Sequence, residues 1–174
     1  MDGLSSIHNF PSLFLMLNSM VYPCIFQRRG KIVNAADHAH SLTLVHSLAS
    51  VTTLVKQHFP AASVNLKPWR DDPETREWLE QETLDLAFHF PGWTPRLQCR
   101  SFLMQLRVSR EQIESTPYLV GVLIRGMTYE SERWRLVTLG DWELTGSHLP
   151  HPDQIAHFRE ICQDLFALFP RPPQ

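Results

Sequence analysis

Tyr118-Leu119-Val120-Gly121-Val122-Leu123-Ile124 carries no charged side chain on either of its alternating sides. Successive residues of a strand point to opposite faces of a sheet, so a strand apolar on both faces is one that is covered on both. The stretch therefore predicts the centre of a sheet, over residues 118–129. Glu130-Ser131-Glu132 then makes a compact polar connection to Arg133-Trp134-Arg135-Leu136-Val137, which predicts a hairpin. Its second strand is expected over 133–145, bent or bulged at Gly140. On the other side, residues 97–108 are rich in β-formers and predict a further long strand, joined to the central one through a short link near 111–116.

Helices flank this sheet region in the chain. Residues 35–59 read as one long helix with Asn34 as its N-cap and Pro60 as its stop. Leu42, Val45, Leu48, Thr52 and Val55 form its apolar face, and Thr43, Ser47, Ser50 and Thr53 line the other. No Asp, Glu, Lys or Arg stands between Asp37 and Lys56, so this helix is expected to be covered on both sides. Residues 62–69 follow as a strand. A second helix is expected to open with Asp72 as N-cap and Pro73 at its first position and to run to Phe88, with Glu74, Glu77, Gln81 and Asp85 as a solvent-facing row. The last helix starts at Pro152 and repeats Ile155, Phe158, Cys162, Leu165 and Phe169 at spacings of three and four. Before all of these, residues 24–26 and 31–33 read as short extended pieces around Arg28-Arg29-Gly30.

Helix, meander and closing helix, without regular strand–helix alternation, predict an α+β fold: an antiparallel β-sheet of about four to five strands packed against three main helices. The chain has 174 residues, suited to a single domain, which we place over 21–170. Residues 1–20 read as a peripheral extension, with Met20 as a second candidate initiator, and 171–174 as a Pro-rich end. The apolar run Leu13-Phe14-Leu15-Met16-Leu17 lacks the basic lead and cleavage site of a secretory signal and is too short to span a bilayer.

With 43% hydrophobic residues, 20% charged residues and a net charge near −2, the chain is neither disordered in composition nor basic enough to neutralise nucleic-acid phosphates. Cys24, Cys99 and Cys162 are widely spaced and match no zinc or disulfide pattern, which suits a reducing, cytoplasmic compartment.

Chemistry-bearing residues are few. Asp37-His38-Ala39-His40 places potential metal ligands two apart, a spacing that points them in different directions on a helix. His148, His151 and His157 form a second loose group, read as surface or capping histidines. Cys99 and Cys162 fall on apolar positions and read as inert thiols. There is no Gly-x-Ser-x-Gly elbow, no phosphate-binding glycine loop and no His-Glu-x-x-His. Asp141 and Glu143, alternating on a strand, would point to one face and hold a divalent metal together with Glu77 or Glu80; the following Leu144-Thr145 lacks the lysine that metal-dependent nucleases often carry there.

What stands out is tryptophan next to arginine: Trp69-Arg70, Arg76 near Trp78, Trp93 near Arg96, and Trp134-Arg135, with Trp142 close by. Only Lys31, Lys56 and Lys67 are lysines. Trp and Arg enriched over Lys is the composition of protein interfaces, and it is equally the composition of core anchors with stacked guanidinium groups. The sequence thus predicts a non-catalytic protein-binding domain, an adaptor, assembly factor or regulatory subunit, which meets another protein through Trp93, Arg96, Trp134, Arg135 and Trp142. Trp93 leads because Pro91-Gly92-Trp93-Thr94-Pro95 reads as a stiff loop unable to bury a whole indole. No cofactor is expected. A metal-dependent hydrolase or nuclease built on the carboxylates, and a small-molecule sensor, stay open as alternatives.

Overall fold

The computed structural model describes residues 34–39, 41–69, 83–109 and 118–171. The expectations for residues 1–33, for 70–82 and for the 111–116 link lie outside them. Among the described residues six strands form one antiparallel sheet in the order β1 to β6: β1 (Ser63–Asn65), β2 (Thr83–Thr94), β3 (Cys99–Val108), β4 (Leu119–Met127), β5 (Glu132–Val137) and β6 (Glu143–Gly146). Each strand hydrogen-bonds to the next in sequence, so the sheet is a pure meander. The helices are α1 (Ala35–His38), α2 (Leu42–His58) and α3 (Pro152–Leu168). The fold is α+β, with one strand more than expected. No described helix is long and apolar enough to cross a membrane.

One long helix was expected over 35–59, and the structure divides it. Ser41 is extended and its hydroxyl accepts a hydrogen bond from Leu44 N at 3.2 Å, capping α2 afresh. A serine at that point offers the backbone N–H groups a better partner than a continued helix would. Asn34 precedes α1 but makes no side-chain cap. Its amide instead donates to Asp37 at 3.0 Å and accepts from Trp69 N at 3.0 Å.

The largest correction is at β2. Residues 83–88 were assigned to a helix and are a strand. Leu84, Leu86 and Phe88 alternate with Thr83, Asp85 and Ala87, all six are buried, and pairing to β3 makes the segment a strand. Asp85 is accordingly no part of a solvated row: it is wholly buried. The strand expected over 133–145 is likewise two strands, parted by a turn in which Gly140 (φ +78°) and Trp142 (φ +55°) take left-handed conformations.

Alternation sorts the sheet into two faces. Leu84, Leu86 and Phe88 of β2, Phe102, Met104 and Leu106 of β3, Val122 and Ile124 of β4, and Trp134 and Leu136 of β5 join Leu48, Val51 and Val55 of α2 and Phe158, Ile161, Cys162 and Leu165 of α3 in one core. Its centre is aromatic: Phe158 lies 5.1 Å from Phe59, 5.2 Å from Phe102 and 5.2 Å from Trp134, ring centre to ring centre. Gly126, cross-strand from Trp134, is what lets the indole lie flat on β4; a Cβ there would fall 2.1 Å from the ring. The opposite face carries Asp85, Gln105, Leu123 and Val137 in one row, and Ala87, Leu103, Arg125 and Arg135 in the next. β4 is thus covered on both faces from Gly121 to Gly126, as its composition predicts.

Candidate functional site

The β2–β3 hairpin ends in a tip that curls over one end of the core. Leu97 plugs it, 1% exposed, and its N–H donates to Thr94 O at 3.1 Å. Gln98 turns the chain with φ +53° and its side-chain amide donates to Pro95 O at 2.7 Å. Two bonds then tie the tip to the domain. Trp134 Nε1 donates to Leu97 O at 2.6 Å, and His151 N donates to Arg96 O at 2.8 Å. Arg96 pairs with Asp153 in the first turn of α3, and Asp153 also accepts from His151 Nδ1 and from Gln154 Nε2. Partial desolvation works to raise the Asp153 pKa, but the bonds from Gln154 and His151 and the charges of Arg96 and His151 outweigh it and hold the carboxyl at about 2.

On this rigid mount Trp93 stays 41% exposed, with the Arg133 guanidinium 5.9 Å above its ring. The β4–β5 turn contributes Tyr129, 87% exposed, under Arg100 at 4.7 Å. Two aromatic–arginine pairs are therefore presented by neighbouring hairpin ends, a geometry suited to gripping a planar or apolar group rather than to bond-breaking.

Of the five residues singled out by composition, Trp93 lies at the end of β2, where a loop was expected, and Arg96 lies in the turn that follows. Trp134 is fully buried beneath it as a core anchor, so it reaches no partner in the folded protein. Arg135, its neighbour in sequence, lies on the other face of the sheet and pairs with Glu132 at 2.5 Å. Adjacent strand residues cannot share a face, and that parity separates them. Trp142 sits beyond the far end of β5, half-buried against Phe166 at 6.3 Å. Arg133, Tyr129 and Arg100 were missed; their contacts are made across strands, and no local pattern announces them.

The other chemical groups are accounted for singly. Asp37 pairs with Lys67 at 2.6 Å, and His40 lies outside the described residues. His148 contacts Ser147 Oγ at 3.0 Å, whereas His157 packs on the rings of His58 and Phe59. Asp141 stands in the turn and Glu143 opens β6, with left-handed Trp142 between them breaking the alternation that would align the two carboxylates. Among the described residues no three His, Cys, Asp or Glu side chains gather to hold a metal. Cys99 and Cys162 are free and buried, and burial pushes both thiols up to about 12. A Cys24→Ser chain should therefore take up no thiol reagent at about pH 8 until it is denatured. Rapid native labelling would contradict this.

One buried polar cluster lies on the face away from α2 and α3. Asp85 accepts from Trp69 Nε1 and from Gln105 Nε2, the latter at 2.9 Å. Burial pushes its pKa up to about 6, against the opposing effects of Thr83, Trp69, Gln105 and the Arg125 charge. Among the described residues no hydrogen-bond donor meets its Oδ1 or the Gln105 Oε1, and both atoms are buried. Through Trp69 and Asn34 the cluster fastens α1 to the edge of β2, where Asn34 bridges Asp85.

No curated protein and no solved structure matches this chain. A family model does, over residues 36–171, which takes in every helix and strand described above except the first residue of α1. The chain belongs to that family, whose description is a domain of unknown function.

Proposed function

We propose that this protein is a non-catalytic protein-binding domain, an adaptor, assembly factor or regulatory subunit, and that it meets its partner with the tip of the β2–β3 hairpin. The observation that carries the reading is Trp93, a large apolar side chain left 41% exposed on a tip that is otherwise bonded down at Arg96 and Leu97. An aromatic held rigid before binding loses little conformational entropy on docking, which is how interface hot spots gain their affinity. Arg133, Arg100 and Tyr129 extend the same surface. The free, buried state of Cys99 and Cys162 supports a reducing, cytoplasmic setting.

Trp93→Ala and Tyr129→Ala test it. Both side chains are exposed, so the melting temperature should hold, while capture of the partner by tagged full-length protein from its host should weaken by roughly thirtyfold or more for Trp93→Ala. Undiminished capture of every co-purifying protein by both variants would refute the assignment.

A further inference from the structure

We infer that the partner of the hairpin tip presents an acidic peptide segment, one carboxylate of which binds the Arg133 guanidinium where that group lies over Trp93. The inference rests on the tip being the docking surface and adds the chemistry of what docks there.

Charges at this end of the sheet are unequally matched. Arg96 pairs with Asp153, and Glu132 is shared by Arg125 at 3.4 Å and Arg135 at 2.5 Å, so the carboxylates of Asp153 and Glu132 are both engaged. Arg133 and Arg100 have aromatic rings as their neighbours instead, Trp93 at 5.9 Å and Tyr129 at 4.7 Å. Among the described residues neither guanidinium pairs with a carboxylate. The adjoining chain supplies none: residues 86–109 and 144–152 contain no Asp or Glu. Glu130, exposed in the β4–β5 turn, is one carboxylate against these two guanidiniums.

A guanidinium over a ring face gives none of its N–H groups to the ring, and its planar fork matches a carboxylate through two parallel hydrogen bonds. Arg133 is not satisfied by the fold itself, since its Nε is shielded from water and meets no acceptor among the described residues. Trp93, 41% exposed beside it, offers apolar surface to the methylene groups that carry an aspartate or glutamate carboxylate and to the residues next to them. Arginine, charge and aromatic surface together are the means by which acidic peptide motifs are recognised. A nucleic-acid strand fits less well. It needs a continuous track of cations, whereas this chain has a net charge near −2 and sets Glu130, Glu132 and Asp153 among the arginines of this end.

Full-length protein should be titrated against short fluorescein-labelled peptides of repeating Glu-Leu-Asp-Leu, against the matching Gln-Leu-Asn-Leu repeat and against oligouridylate, with anisotropy as the readout. At low salt the acidic peptide should bind about tenfold more tightly than the neutral one, and this margin should vanish at about 0.5 M salt and in Arg133→Gln. Arg133→Lys keeps the charge without the fork and should fall between Arg133→Gln and wild type. Capture of the host partner should weaken about tenfold in Arg133→Gln. Equal binding of the acidic and neutral peptides, preference for oligouridylate, or an Arg133→Gln protein that keeps the margin would overturn the inference. The two readings fail differently. Capture that depends on Trp93 but responds neither to Arg133→Gln nor to salt would overturn the acidic partner alone, and capture indifferent to Trp93→Ala would remove the docking surface and the acidic partner together.

Discussion

Replacing Asp85 by asparagine should stabilise the protein at neutral pH by about 3 kcal/mol and remove most of the change in its stability between pH 4 and 6. The ordinary carboxyl value of 3.8 describes Asp85 in the unfolded chain, and burial in the folded state raises it to about 6. Between those values the folded protein holds a proton that the unfolded chain has released. Stability therefore falls as pH rises through the window, is undiminished below about pH 4 and has lost the full amount above about pH 6. Asparagine removes the charge while keeping the shape. Its carbonyl oxygen accepts from Trp69 Nε1 and Gln105 Nε2 as Asp85 Oδ2 does, and its amide nitrogen takes the place of Oδ1, which meets no donor among the described residues. Urea titrations of both proteins across this pH range give the answer. A wild-type midpoint that does not fall with pH, or an asparagine variant weaker than wild type at pH 7, would show that Asp85 is stabilised as a carboxylate.

Asp85 also shows where the sequence misleads. Its spacing from Glu74, Glu77 and Gln81 suits a solvated helix face, yet Leu84, Leu86 and Phe88 suit a strand equally well, and only pairing to β3 chooses between them. A period of two and a spacing of four coincide over short runs, so such a segment is decided by tertiary contacts. α3 had no such ambiguity: Pro152 fixes its start, four apolar residues repeat over its length and Phe169 continues the repeat at its C-cap. The central strand was equally plain, because nothing from Tyr118 to Ile124 suits solvent. Gly140 marked the break between β5 and β6, but a bend and a full turn look alike until the partner strand is known. The stiff loop expected over Pro91 to Pro95 is for the most part the end of β2, so Trp93 is exposed from a strand and not from a loop, and Arg133 comes to it from another strand. The separation of Trp134 from Arg135 follows from strand parity alone and was readable from the start.

Trp134→Ala should cost about 4 kcal/mol, the range for removing a buried indole, and so a large share of the roughly 5–15 kcal/mol that holds a domain of this kind. Two losses combine. The ring leaves a cavity beside Phe158 and over Gly126, and Leu97 O loses the donor that pins the hairpin tip. Trp134→Phe separates them, since phenylalanine fills most of the space and donates nothing. The second partner in the packing gives a sharper test. Gly126→Ala alone forces its Cβ into the indole and should destabilise by about 2 kcal/mol, whereas in the Trp134→Ala background the same methyl enters the cavity and should cost nothing or stabilise. Additive losses in the double variant would mean that the ring does not lie on β4. Because Leu97 and Trp93 share one hairpin tip, Trp134→Phe should also loosen that tip, seen as faster amide exchange at Leu97, and weaken partner capture, although residue 134 is itself buried. A variant that keeps its tip protected and its capture intact would show that the turn at Gln98 and the bonds at Arg96 hold Trp93 in place without the indole.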